Sequence, residues 1–191
     1  MSDKRQKVNA ILWLLVALLQ PITDICISEY GKLTTVMSVY NFNTAATLKL
    51  VGLDLISVAA FALCALGVYK LQSKIIAIGG CVMFLRTLQS YFVFSWGESN
   101  PTSLLIVTAV WIIFIVAFFN KKTLRIRLVY VFCLYFTVQL LFSLRSIDSS
   151  SGADFFLSIV RVVQLLLISI LPLLSVQVLP DNTTKKAEDM E

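Results

Sequence analysis

The sequence predicts an all-α protein, a polytopic bundle of about six transmembrane helices with both termini in the cytoplasm. Its residues are 58% apolar or aromatic and only 14% charged, whereas soluble domains are nearer one half and one quarter. Six apolar runs approach the roughly 20 residues that an α-helix needs to cross a bilayer. Basic residues are concentrated in alternate loops, as expected when those loops stay in the cytoplasm.

The predicted spans cover, in order, residues 10–28, 48–69, 75–94, 103–119, 128–144 and 155–179. The first follows three basic residues and has no small-residue cleavage site, so it is predicted to be an uncleaved anchor. The fourth and fifth spans are the shortest, and the sixth is the longest and contains Pro172, where a bend or tilt is expected. Four or five spans are the alternative if a weak segment lies in the interface. Residues 1–180 would form the bundle and residues 181–191 a disordered cytoplasmic tail.

The orientation follows from the basic residues, because positively charged loops remain on the cytoplasmic side. An inside amino terminus places eleven of the sixteen there: Lys4, Arg5, Lys7, Lys70, Lys74, Lys121, Lys122, Arg125, Arg127, Lys185 and Lys186. The chain is therefore predicted to cross a membrane in several passes.

Ionisable and amide residues within the predicted spans are the first candidates for a functional site, because polar groups are costly there. Two acids and two arginines fall at similar depth in the outer half of the bilayer, and three amides fall close to them. The predicted intramembrane polar layer is Asp24, Asp54, Arg86, Gln89, Gln139, Arg161 and Gln164. One interpretation is that it fixes helix register. The other is a solute pathway, or a switch in which an Arg–Asp pair breaks.

The chain lacks the residues that most enzymatic sites require. It has no histidine, no Cys-x-x-Cys pair and no phosphate-binding glycine loop. Asp24 and Asp54 could form an aspartyl dyad, but the nearby arginines would keep both acids ionised. The sequence therefore predicts a protein that is not an enzyme and that uses no cofactor or metal.

The segment Lys121–Arg127 is predicted to dock a soluble partner or anionic lipid, through Lys121, Lys122, Arg125 and Arg127. Direct nucleic-acid binding is not predicted, because membrane orientation accounts for the net charge of +5. Aromatic residues near span ends, including Trp13, are expected to be interfacial anchors. Trp111 and the phenylalanines that follow it in the fourth span are expected to face lipid or another subunit.

The opening KVNAILWLLVALLQPITD, the short basic loops and the lack of a soluble domain resemble the membrane subunits of the Kiwa antiphage defence system. The resemblance implies a membrane sensor that assembles as a homo-oligomer and recruits a soluble DNA-binding partner. The expected function is thus a non-enzymatic sensor or anchor that relays an envelope signal to a cytoplasmic protein. A small transporter or channel and a bacteriocin-type immunity protein are the alternatives.

Overall fold

The computed structural model describes the backbone of residues 2–36, 44–94, 101–145, 147 and 152–180. Side chains are described for residues 3–22, 52, 55–89, 105–145, 147, 155–156 and 158–180. Within these residues the chain forms six helices and no strand: α1 (Ser2–Val36), α2 (Thr44–Tyr69), α3 (Ser73–Phe94), α4 (Pro101–Phe119), α5 (Lys122–Arg145) and α6 (Gly152–Val178). The predicted all-α class is confirmed.

All six helices are longer than the apolar runs that predicted them. The helix α1 begins eight residues before its run and continues to Val36, and α5 begins at Lys122 rather than at residue 128. Lysine and arginine are good helix formers, so the helical backbone continues into charged sequence where an apolar run stops. The predicted tail, residues 181–191, lies outside the described residues.

The six helices form a closed ring in chain order. Each helix packs against the next one in the sequence, and α1 packs against α6 to complete the ring. The links between α2 and α3 and between α4 and α5 are only a few residues long, so neighbouring helices run antiparallel. The start of α1, the end of α2, the start of α3, the end of α4, the start of α5 and the end of α6 therefore share one end of the ring.

The turn between α2 and α3 is a Schellman motif. Leu71 has a positive φ of 54°, the Gln72 amide donates to the Gly67 carbonyl, and the Leu71 amide donates to the Val68 carbonyl. A Cβ on Gly67 would lie 2.5 Å from Cγ1 of Ile76, so this turn brings α3 directly against α2.

Adjacent glycines allow α3 to approach both of its neighbours closely. A Cβ on Gly79 would lie 2.7 Å from the Ala60 carbonyl oxygen in α2, and one on Gly80 would lie 2.6 Å from the Phe114 ring in α4. Small residues between membrane helices permit such close packing.

Aromatic side chains pack inside the bundle, toward the end where α1 begins, and two predictions about them are wrong. Trp111 is buried, and its ring centroid lies 5.6 Å from that of Phe114 and 5.4 Å from that of Phe132. Phe118 is also fully buried, 4.8 Å from Phe114. Trp111, Phe114 and Phe118 of the fourth helix therefore face inward and not toward lipid, whereas Phe119 at its end is exposed. Trp13, expected to be an interfacial anchor, is buried and stacks on Phe61 at 6.0 Å.

Large apolar side chains also cover the outside of the bundle. Every helix exposes them, with Leu18, Leu105 and Leu134 all more than 60% exposed. Among the described residues, two helices, Lys122–Arg145 and Ser158–Val178, are long and apolar enough to cross a membrane. Leu55–Tyr69 and Leu105–Phe119 are apolar but shorter over the side chains that are described.

Candidate functional site

A buried pair of amides joins α1 to α6 where these helices close the ring. The Gln164 Nε2 group donates a hydrogen bond to Gln20 Oε1, and both side chains are buried. The pairing satisfies polar groups that would otherwise be costly between apolar helices. Gln164 belongs to the predicted polar layer, whereas its partner was missed. The sequence signal for Gln20 was an amide within an apolar run, immediately before Pro21.

The other described members of the predicted layer do not all face the interior. Gln139 is hydrogen-bonded to Tyr135 of its own helix, and Arg86 is partly buried with its Nε shielded from solvent. Gln89 and Arg161 are exposed on the outer surface. Residues three apart are rotated by about 60° around a helix, and the boundary between the buried and exposed faces falls within that angle. Arg86 and Gln89 therefore differ in burial, as do Arg161 and Gln164, although all four were predicted to lie in one polar layer.

The two acids of the predicted layer lie in described helices, Asp24 in α1 and Asp54 in α2. Their side chains lie outside the described residues, so their pairing with Arg86 and Arg161 stays a prediction.

A second polar cluster, which was also not predicted from the sequence, lies between α1 and α6 near the end of the bundle where α1 begins. Ser175 Oγ accepts hydrogen bonds from Trp13 Nε1 at 3.0 Å and from Asn9 Nδ2 at 3.3 Å. The Ser175 hydroxyl donates its own hydrogen to the Leu171 carbonyl at 2.7 Å. With that hydrogen committed, Ser175 can only accept from the amide, which fixes the orientation of Asn9. Asn9 Oδ1 therefore points away from Ser175, and it is buried with no hydrogen-bond partner in the described part of the chain.

The short links and the ring closure gather most of the described basic side chains at one end of the bundle. We call this the basic end, and it carries Lys4, Arg5, Lys7, Lys70, Lys74, Lys121, Lys122, Arg125 and Arg127. Gln6 Nε2 donates to the Tyr69 carbonyl, which holds the start of α1 against the end of α2. Lys7 Nζ lies 2.8 Å from Asp3 Oδ2, and this hydrogen bond raises the pKa of Lys7 above its ordinary value.

Arg125 differs from the other residues predicted to dock a partner. Its side chain is fully buried, and its Nη2 donates to the Asn120 carbonyl at 3.1 Å, just after α4 ends. A cation is favourable beside the carbonyls at a helix carboxyl terminus. Arg125 thus links α5 to the end of α4 inside the protein and cannot present its charge to a partner. Lys121 and Arg127 are exposed and Lys122 is partly so.

Two grooves run along the outside of α1. The first lies between α1 and α6 at the basic end and has a volume of about 830 Å³. Its walls combine basic, amide and apolar side chains: Lys4, Arg5, Val8, Asn9, Leu12, Leu174, Gln177 and Val178. The second, of about 540 Å³, lies between α1 and α2 and is almost wholly apolar apart from Lys7 and Tyr69 at its rim. We call them the α1–α6 groove and the α1–α2 groove.

Among the described residues, no group of three or more histidine, cysteine or acidic side chains is placed to hold a metal ion. The described cysteines Cys64, Cys81 and Cys133 are free thiols. No protein-family model matches the chain, and no curated protein or solved structure matches it either.

Proposed function

We propose that this chain is a six-span inner-membrane protein that acts as a non-enzymatic anchor or sensor, with its basic end in the cytoplasm. The observation that carries the proposal is the combination of an apolar outer surface on all six helices with basic side chains gathered at one end. A soluble monomer rarely exposes a large continuous apolar surface, whereas a bilayer solvates it. Under the positive-inside rule the basic end is the cytoplasmic one.

The orientation can be tested with carboxyl-terminal reporter fusions to the full chain. A fluorescent-protein fusion is expected to fluoresce and an alkaline-phosphatase fusion to be inactive, since both termini are proposed to be cytoplasmic. Cysteines introduced at Gln72 and Ile147, at opposite ends of the bundle, provide the internal check. A maleimide that cannot cross the membrane should label intact spheroplasts only at Ile147→Cys. Labelling at Gln72→Cys with no labelling at Ile147→Cys would contradict the orientation.

The packed interior supports an anchor or sensor over a channel. Phe61, Phe114, Phe118 and Phe132 are all at most 1% exposed and fill the bundle near its basic end. A continuous aqueous path would have to displace these rings. Purified protein in liposomes is therefore expected to give no ion or solute flux above that of empty liposomes, and reproducible flux would favour the transporter alternative.

A soluble partner is proposed to dock on the exposed lysines at the link between α4 and α5. Two double variants test this, because each removes two positive charges from the same end. Affinity purification in mild detergent is expected to recover a specific cytoplasmic protein with the wild type and with Lys70→Gln/Lys74→Gln. Recovery should be lost with Lys121→Gln/Lys122→Gln. Equal recovery with both variants would refute docking at this link.

A homo-oligomer is proposed from the exposed polar residues on the lipid-facing surface. Arg161 is exposed on α6 between the exposed residues Ile159 and Val163, and Gln89 is exposed on α3 four residues after the exposed Leu85. A cation surrounded by hydrocarbon is costly, and contact with a second copy would relieve that cost. Arg161→Leu is expected to change the particle mass measured by light scattering in detergent, whereas Ile159→Leu on the same helix should not. Equal masses for wild type and Arg161→Leu would contradict this interface.

The resemblance to Kiwa membrane subunits makes antiphage defence the first phenotype to test. Cells that carry the gene and its genomic neighbours are expected to show reduced plaque formation, and deleting this chain should restore it. Unchanged plaque formation across a broad phage panel would remove the defence role while leaving the anchor proposal to the docking experiment.

A further inference from the structure

We propose that the α1–α6 groove is a specific site for one anionic phospholipid of the inner leaflet, with a hydroxyl-bearing headgroup such as that of phosphatidylglycerol. The inference rests on the proposed membrane insertion, which places this groove at the depth of the cytoplasmic headgroups. It concerns a site separate from the lysines proposed to dock a protein partner.

The composition of the groove changes along its length in the order that a phospholipid requires. Lys4 and Arg5 lie at its open end, and both are exposed. Val8, Leu12 and Leu174 provide apolar walls further along the helices. A phosphate can therefore meet two cations while the first carbons of an acyl chain contact apolar side chains.

Charge favours an anion in this groove. Its lining contains two basic side chains and no acidic one among the described residues. Asp3, the nearest acidic residue along α1, is paired with Lys7, which lines the α1–α2 groove instead. Lys4 and Arg5 are thus left to act on the α1–α6 groove.

Asn9 indicates what the headgroup must carry besides its phosphate. This residue lies in the wall of the groove and is 2% exposed. The Ser175 hydrogen-bond network leaves its Oδ1 buried without a donor within the described part of the chain. A buried acceptor without a donor costs free energy, and a headgroup hydroxyl that displaces the atoms covering Oδ1 would supply the missing donor. Phosphatidylglycerol supplies both the single negative charge and the hydroxyls.

Native mass spectrometry of the full-length protein in detergent micelles can test the site by counting bound lipids during a titration. One phosphatidylglycerol per chain is expected to bind saturably. Phosphatidylcholine should bind at least about tenfold more weakly, since each basic residue contributes about fivefold to the affinity for an anionic headgroup. Lys4→Gln/Arg5→Gln should lower the affinity for phosphatidylglycerol by about tenfold to thirtyfold. The matched control Lys70→Gln/Lys74→Gln, with the same change in charge, should leave it within about twofold.

The position of the lipid is tested by filling one groove at a time. Val8→Trp puts an indole into the α1–α6 groove, and Ile11→Trp puts one into the α1–α2 groove, with both positions exposed on the same helix. Only Val8→Trp is expected to abolish saturable binding. If the two tryptophan variants, or the two charge variants, changed the affinity for phosphatidylglycerol equally, the lipid would be attracted nonspecifically to the protein. Either result would overturn the proposal.

Phosphatidylmethanol separates the role of the hydroxyl from that of the charge, because it has the same single charge but no headgroup hydroxyl. Wild type is expected to prefer phosphatidylglycerol by about fivefold, the effect of one hydrogen bond. Asn9→Leu should remove the preference. Equal binding of the two lipids by wild type would refute the assignment to Asn9.

Two further measurements distinguish a lipid site from a phosphate site and from a failure of membrane insertion. Inorganic phosphate at millimolar concentration should not compete with the lipid, and competition would overturn the choice of a lipid as the ligand. Wild-type protein should remain in the membrane pellet after alkaline carbonate extraction. A protein that stays in the membrane but binds no lipid specifically would refute this site alone, whereas release by carbonate would refute the proposed membrane insertion.

Discussion

Replacing Gly79 by alanine tests how closely α2 and α3 pack, because alanine adds only one methyl group. That methyl would lie 2.7 Å from both the Ala60 carbonyl oxygen and Cys64 Sγ, whereas ordinary contacts begin near 3.4 Å. A backbone carbonyl cannot rotate away, so the helices must separate by several tenths of an ångström. Such overpacking costs about 1–3 kcal/mol. The better helix propensity of alanine offsets at most about 1 kcal/mol of this.

Gly52→Ala is the matched control, since it makes the same chemical change in a neighbouring helix. Among the residues whose side chains are described, none has an atom within 4 Å of a Cβ at Gly52, so only the propensity gain of about 1 kcal/mol remains. For a chain of this length, 1 kcal/mol corresponds to a shift of about 2–4 °C in Tm. With a net loss of up to about 2 kcal/mol, Gly79→Ala is expected to lower Tm by up to about 8 °C, and Gly52→Ala is expected to raise it by a few degrees.

The assay is thermal unfolding in one detergent, followed by tryptophan fluorescence and by far-ultraviolet circular dichroism. The opposite direction of the two shifts matters more than either magnitude, because expression and detergent effects would move both variants together. If Gly79→Ala melted at or above the wild-type temperature, the close contact between α2 and α3 at Gly79 would be refuted.

Three further perturbations test other contacts. Gln20→Leu or Gln164→Leu alone should lower the free energy of unfolding by about 1–3 kcal/mol, because each removes the hydrogen bond between two buried amides. The double variant should recover most of this loss, and additive losses in the double-mutant cycle would exclude the pair. Phe132→Ala removes a fully buried ring and should lower the free energy of unfolding, measured by denaturant titration, by about 3–5 kcal/mol. Phe142→Ala removes an exposed ring of the same helix and should lower it far less. Similar losses for the two variants would contradict the inward aromatic cluster. Asp3→Asn should lower the pKa of Lys7 toward its ordinary value, as measured by NMR titration. Tm should not change, because the Asp3–Lys7 pair is exposed. An unchanged Lys7 pKa would disprove the contact.

The sequence was sufficient to predict the number and approximate limits of the helices. Long apolar runs separated by short polar breaks such as Gln72 and Asn120 leave few other arrangements. The close approach at Gly79 and Gly80 was also predictable, because two consecutive glycines within a helix leave room for a neighbour.

The orientation of each side chain could not be predicted in the same way. The helix α4 is apolar on every face, so no periodicity distinguishes a surface toward lipid from one toward the protein interior. The sequence therefore offered no means of predicting that Trp111 lies inside the bundle and does not face lipid. The prediction for Arg125 was wrong for a related reason. A basic residue after a helix break is usually exposed, whereas Arg125 is buried against the end of α4.

The sequence by itself determined that the described residues form six helices and that basic residues are concentrated in alternate loops, because composition and the spacing of polar breaks depend only on order in the chain. The tertiary structure decided which helices meet at the closure of the ring. Gln20 and Gln164, and Asn9 and Ser175, are far apart in sequence and are brought together only when α1 packs against α6. The α1–α6 groove forms at that same contact, so no segment of the sequence contains it.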